Sequence, residues 1–194
     1  MLSNRPDGAS WQESRTAHPP LCVDLDGTLL AGDTLKLSVV GLLSREPWAM
    51  LRPVAALLQG RAAFKAEVAR RHLLDPATLP WRAAVLSFLG DQRSAGRRLV
   101  LATAAHRVIA ESVAAYLKLF DAVIASDATN NLKGDLKVRA IRVFTAGGEF
   151  DYAGDSWADV PVFAAARRCI VVTRDPRLLA RVRAVSWIET VFSE

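Results

Sequence analysis

The stretch CVDLDGTLL, residues 22–30, drives a short apolar run into two aspartates, Asp24 and Asp26. Two carboxylates that close repel, and each raises the cost of ionising the other. A bound cation resolves the conflict, because carboxylates and water are the natural ligands of a hard ion such as Mg²⁺. Further along, Thr103 ends the run LVLAT, Lys133 stands in NLKGD, and GDSWAD supplies Asp155 and Asp159. Four carboxylates, a hydroxyl and an ammonium are the groups needed to hold a divalent cation beside an anionic substrate. Phosphate-ester hydrolysis is among the slowest uncatalysed reactions, and a covalent carboxylate intermediate divides it into two easier steps.

These residues act together only if the chain brings their segments to one edge. LCVDL (21–25), LVLAT (99–103), AVIAS (122–126), FDYAG (150–154) and CIVVT (169–173) read as strands, short and apolar at consecutive positions. Amphipathic helical patterns lie between them: Trp81, Val85, Phe88 and Leu89; Ile109, Val113, Tyr116, Leu117 and Phe120; Val138, Ile141 and Phe144. Asp175-Pro176 opens a last helix over 177–184. The alternation predicts an α/β, Rossmann-like fold with a five-stranded parallel sheet flanked by helices. Asp24 and Asp26 then sit at the carboxyl edge of the first strand, where open parallel sheets bind ligands, and i, i+2 spacing turns both to one side. Thr103, Lys133, Asp155 and Asp159 follow later strands at the same edge.

One segment breaks the alternation. Residues 34–78 have helical texture only, punctuated by Pro47, Pro53 and Gly60, and read as an inserted helical cap. The expected organisation is a disordered tail over 1–20, a core of 21–33 and 79–184, the cap, and a C-terminal tail or linker over 185–194. The chain has 194 residues, is 51% hydrophobic and carries a net charge of +5. Seven basic and three acidic residues leave +4 of that charge within 34–78. Trp48, Leu42, Leu43, Leu51, Leu57 and Leu58 are expected to form the cap's own core, with a lipid-facing surface as the alternative. No lysine-rich arm or aromatic-basic array points to nucleic acid. No stretch approaches the ~20 apolar residues of a membrane span, and residues 1–20 lack the apolar segment of a signal peptide. Cys22 and Cys169 lie in apolar runs, as buried free thiols do, and suit a reducing, cytoplasmic setting.

DLDGTL, a strand-final Thr103, NLKG and GDSWAD, in that order, resemble the haloacid dehalogenase superfamily, and Asp26 is similar to its phosphatase branch. The resemblance implies an Mg²⁺-dependent phosphomonoesterase acting through an aspartyl-phosphate. Asp24 would be the nucleophile, and Asp26 would protonate the leaving oxygen and then activate water. The Asp24 and Asp155 carboxylates and the Asp26 backbone carbonyl would hold the metal, supported by Asp159. Thr103 and Lys133 would bind the phosphoryl oxygens, Lys133 also neutralising Asp24, with Thr28 bracing the loop and Ser156 beside the substrate. Lys137, one helical turn after Lys133, is the rival for that role, and Asp159 could instead cap the helix that follows it. Thr103 could equally cap a helix. His106 could face the site or simply open a surface helix.

The position of the cap is similar to the C1-cap class that includes phosphoserine phosphatase. Asp33 falls where that enzyme carries a glutamate for its amino-acid substrate. A closer resemblance joins DLDGTLLAGDTL, GRAAFKAEVARR, LDPATLP, AGRRLVLATAA, LFDAVIASD, NLKGDLK and FDYAGDSWADVPVF. These look like the haloacid-dehalogenase-type domain fused to UbiA-type prenyltransferases. That context implies a lipid-linked sugar phosphate such as polyprenyl-phosphoryl phosphoribose, a prenyltransferase partner and a peripheral place at the cytoplasmic membrane. The alternatives are a phosphatase of phosphoserine or small sugar phosphates, phosphoryl transfer between hydroxyls, and a regulatory module of the transferase.

Overall fold

The computed structural model describes residues 18–193. The tail expected over 1–20 lies, up to residue 17, outside the described residues. The strands are β1 (Leu21–Val23), β2 (Leu99–His106), β3 (Ala122–Ser126), β4 (Asp151–Gly154), β5 (Arg168–Val172) and β6 (Trp187–Phe192). They form one sheet in the order β3-β2-β1-β4-β5-β6, with every pairing parallel. The sheet therefore has six strands, not the expected five. Residues 187–192 are its edge and not a tail or linker. β6 is only partly buried, with Ile188 packing on one face of the sheet and Phe192 on the other, so no continuous apolar run marks it.

Residues 34–78 lie between β1 and β2 and are helical. They comprise α1 (Thr34–Arg45), α2 (Leu51–Ala56) and α3 (Arg61–Arg71), joined by 3-10 turns at Pro47–Met50 and Leu57–Gln59. Pro53 falls in the first turn of α2, where a missing N–H costs nothing. α3 packs on α1 and α2 and reaches β2. The apolar core expected for this segment is a correction. Leu42 is buried, but Leu43, Trp48, Leu51, Leu57 and Leu58 face outward. α2 has six residues and buries only Pro53 and Ala56, too little surface to turn its leucines inward.

The remaining helices cover both faces of the sheet. α4 (Ala83–Ser94) and α5 (Arg107–Leu117) bring Val85, Leu89, Ile109 and Val113 against Leu21, Val23, Leu99 and Leu101. α6 (Asp135–Phe144), α7 (Val160–Ala165) and α8 (Pro176–Arg183) bring Ile141, Phe163, Leu178 and Val182 against Cys22, Val100, Tyr152 and Val171. Alternate residues of each strand thus enter opposite apolar layers, which is why the strands read as unbroken apolar runs. Cys22 and Cys169 are buried free thiols, and burial foremost pushes Cys22 up to about 12 and Cys169 to about 11.

Asp151 opens β4 with no exposed surface. Its carboxylate accepts from Arg97 Nη2, from Arg167 Nη2 at 2.8 Å and Nε at 3.1 Å, and from the Arg168 N–H at 3.0 Å. Arg97 is itself buried and ties the start of β2 to β4. Asp151→Ala should cost about 3–5 kcal/mol in urea unfolding, because it strands a buried guanidinium. Arg167→Ala, whose side chain is part-exposed, should cost less. Equal costs would show that the buried Arg97 pair contributes nothing of its own.

Candidate active site

The strand order reverses between β1 and β4, and ligands of open α/β sheets bind outside the carboxyl ends of the strands at such a point. Asp24 follows β1 directly, and its N–H donates to Ala153 O of β4 at 2.9 Å. The chain then folds back tightly, with Gly27 N–H bonded to Gly32 O and Arg82 Nε to Gly27 O. Gly27 has a φ of +77°, and a Cβ built there would overlap the Asp155 carboxylate. Only glycine suits both the left-handed backbone and that approach. Thr28, fully buried, donates to Asp155 Oδ1 at 3.2 Å.

The Asp26 carboxylate points the other way. It accepts from Thr34 N at 2.7 Å and from Thr34 Oγ1 at 3.2 Å. Thr34 is the first residue of α1, so the positive end of a twelve-residue helix faces this carboxylate. Burial pushes Asp26 up, and the Thr34 hydrogen bonds draw it partly back.

Lys137 occupies the centre. Its Nζ lies 3.1 Å from Asp24 Oδ1 and 3.0 Å from Asp159 Oδ1, and donates to Tyr152 Oη at 2.8 Å. Burial alone would lower its affinity for a proton, but the two carboxylates outweigh burial and hold it raised. Asp159 also accepts from Tyr152 Oη at 2.7 Å and from the Ser156 N–H and hydroxyl at 3.2 and 2.7 Å. Both its oxygens are therefore engaged, and it fixes Lys137. Of the two lysines considered for the role of neutralising Asp24, Lys137 is the one that pairs with it here, and Lys133 lines the cavity beside it. Lys133 precedes Gly134, the N-cap of α6, whereas Lys137 lies in the first turn of α6 on the buried face with Ile141.

A divalent cation fits this set. Carboxylate oxygens of Asp24, Asp155 and Asp159 lie within 4.8 Å of one another. Asp24 Oδ1 is buried and has no hydrogen-bond partner; Lys137 faces it only as an ion pair. Asp24 and Asp155 are each pushed up to about 7, by burial foremost. Lys137 partly offsets this at Asp24, while the charges of Asp24 and Asp159 add to it at Asp155. A cation between Asp24 and Asp155 would relieve both the burial of charge and the repulsion.

The cavity over these groups has a volume of about 560 Å³. Thr103 is buried at its wall, and its Oγ1 accepts from the Ala105 N–H at 3.0 Å. Asp33 and Ser156 also line it, Asp33 capping α1 by accepting from the Lys36 N–H at 2.9 Å. His106 lines it too, and its Nδ1 caps α5 by accepting from the Val108 N–H at 3.4 Å. Burial, with Arg70 nearby, lowers its affinity for a proton. From α3, Lys65 reaches the cavity wall and donates to Ala104 O at 2.9 Å and Asn131 Oδ1 at 3.0 Å. Thr34, Tyr152 and the specific role of Lys65 carried no sequence signal. Lys137 did: a lysine at i−4 from Ile141, on the apolar stripe of its helix, is a buried lysine.

Residues 39–164 match the family model of the haloacid dehalogenase-like hydrolases, and the chain belongs to that family. Over 164 residues it is 34% identical to the uncharacterized protein y4nM of Sinorhizobium fredii (strain NBRC 101917 / NGR234). The match covers 84% of this chain and 32% of y4nM, so the chain spans about a third of that relative's length. The fold is similar to a predicted phosphatase from Clostridium acetobutylicum, with a TM-score of 0.65, 17% identity and coverage of 91% and 94% of the two chains. It is also similar to phosphoserine phosphatase in its apo form, with a TM-score of 0.59, 12% identity and the same coverages of 91% and 94%.

Gly27→Ala tests the carboxylate set. The methyl group should displace Asp155, lowering stability by about 1–3 kcal/mol and, should the three carboxylates hold a divalent cation, the affinity for added Mg²⁺ by about ten- to a hundredfold. Chemical unfolding and titration calorimetry read the two effects. Unchanged Mg²⁺ binding would remove Asp155 from the candidate ligands.

Proposed function

We propose that the protein is an Mg²⁺-dependent phosphomonoesterase in which Asp24 takes the phosphoryl group. The observation that carries this is the buried Asp24 with the Lys137 ammonium at 3.1 Å and the Asp155 carboxylate within 4.8 Å. The Asp24 and Asp155 carboxylates and the Asp26 backbone carbonyl would hold the cation, which supplies positive charge against the phosphoryl oxygens. Lys137 lowers the repulsion between the Asp24 carboxylate and an incoming phosphate dianion.

An Asp24 oxygen attacks phosphorus, the bond to the leaving oxygen breaks, and Asp26 gives that oxygen a proton. Asp26 then takes a proton from water, whose oxygen attacks phosphorus and frees Asp24 and inorganic phosphate. Thr103 and Lys133, both at the cavity wall, would hold the non-reacting oxygens. Ser156, bound to Asp159, positions the Lys137 anchor more directly than it meets substrate.

The helical segment 34–78 acts in this reading as a cap of the C1 type, supplying Thr34 and Lys65 to the cavity, with Asp33 lining it at the segment's junction with the core. A space of about 560 Å³ suits a small phosphorylated molecule or the head of a larger one. The substrate we favour is a sugar phosphate carried on a polyprenyl phosphate, supplied by a UbiA-type prenyltransferase. Lys65 and Lys133 at the wall suit such a doubly anionic head. Phosphoserine is less well served, since the Asp33 carboxylate is engaged as the α1 cap.

Phosphate release from phosphoserine, ribose 5-phosphate and a short-chain polyprenyl-phosphoryl phosphoribose, with Mg²⁺ and with EDTA, tests the reading. Turnover should need Mg²⁺, be abolished in Asp24→Asn and be fastest on the lipid-linked sugar. Turnover on soluble phosphates alone would keep the chemistry and remove the lipid substrate. A folded, Mg²⁺-binding protein inert on every phosphomonoester would sink the proposal.

The two lysines separate in the same assay. Lys137→Ala should lower kcat about 10²–10³-fold, as loss of a group stabilising transition-state charge does. Lys133→Ala should cost less. The reverse order would return the central role to Lys133.

A further inference from the structure

The insertion that roofs the cavity carries an apolar face turned to solvent. Trp48 is 83% exposed, Leu51 71% and Leu58 93%. Leu51, Val54 and Leu58 recur at i, i+3 and i+7, which places them along one side of α2 and the turn that continues it. Pro47, Trp48, Met50, Leu51 and Val54 line a shallow depression of about 330 Å³. Single exposed leucines need no explanation, but a contiguous apolar face with a tryptophan marks a docking surface.

We propose that this face rests on the surface of an anionic lipid bilayer. Two observations choose that occupant. The insertion carries seven basic and three acidic residues; Arg52 is exposed on α2 within the face itself and Lys36 is exposed on α1, while Lys65 is at the cavity wall and Arg70 and Arg71 pair with Glu67 on α3. A second copy docked on the same face would bring Arg52 against Arg52 between two net-positive insertions, whereas an anionic leaflet attracts that charge. The apolar set, with exposed Trp48 beside leucines and a flanking arginine, is also the composition of elements that lie in the membrane interface. Among the described residues no helix is long and apolar enough to cross a membrane, so the contact is a seat and not a span. The face is built on α2 and its two flanking turns, while α1 and α3 line the cavity. Seating is therefore compatible with an open site.

The proposal does not rest on the phosphatase reading, and its test needs no turnover. The full chain is sedimented with vesicles of phosphatidylcholine, and of phosphatidylcholine and phosphatidylglycerol in equal parts, at low and high salt. It should bind the anionic vesicles, weakly or not at all the neutral ones, and lose affinity with salt. Trp48→Ser, Leu51→Ser and Leu58→Ser remove exposed side chains and should leave circular dichroism unchanged. Each should weaken vesicle binding about tenfold or more, the loss expected for one buried large apolar side chain. Trp48 fluorescence, taken as the difference between the wild type and Trp48→Phe, should shift to the blue on binding. Absence of vesicle binding, or binding indifferent to all three variants, would overturn the proposal. So would a dimer in analytical ultracentrifugation that the same variants dissolve, or a soluble acidic protein that competes for the face without lipid. Soluble-phosphate turnover that persists while vesicle binding fails would leave the chemistry intact.

Discussion

Everything at the carboxyl edge of the sheet is arranged around one buried ammonium. Lys137 sits between Asp24 and Asp159, with the Tyr152 hydroxyl as a third partner. An ion pair removed from water is costly unless its partners are fully hydrogen-bonded. Asp159 meets that condition, with both oxygens engaged, and Asp24 does not. With Asp155 alongside, three carboxylates face one ammonium. The excess negative charge sits where an anion must bind, and a hard cation makes the two compatible.

β4 shows the contrast between structure and chemistry along a few residues. At its start Asp151 is surrounded by two guanidiniums and a backbone N–H, more donors than its charge requires. Just past its end Asp155 has one neutral hydroxyl from Thr28 and two carboxylates as neighbours. Both aspartates are largely removed from water, and both follow from the same strand. What distinguishes the candidate functional one is charge left uncompensated by the protein. A buried acid whose partners balance it holds a fold together, and one whose partners do not is waiting for a ligand.

Much of this was legible in the sequence because the same residues do two jobs. Buried parallel strands must be apolar throughout, so five of the six strands announced themselves, and the acidic residues that interrupt or follow them marked one edge. β6 was missed because none of its residues is fully buried and WIETVF carries no continuous apolar run, unlike AVIAS at the other edge. A local KG pattern favours Lys133 over its rival Lys137, whereas helix geometry favours Lys137; it shares a face with Ile141, and that spacing was readable. The exposure of Trp48 and Leu58 was not readable. Apolar residues in a short helical segment are ordinarily its core, and only the small extent of α2 leaves them outside.

The grip of Thr34 on Asp26 has a mechanical meaning. Asp26 belongs to the loop after β1, but both hydrogen bonds that orient its carboxylate come from the first residue of the insertion. The floor of the site holds Asp24, Lys137 and Asp155, while the roof holds Asp26. A roof that swings away takes its donors with it and leaves that carboxylate unaimed. In the reaction proposed above, where Asp26 would handle the proton, closure of the insertion would also be what aims that group.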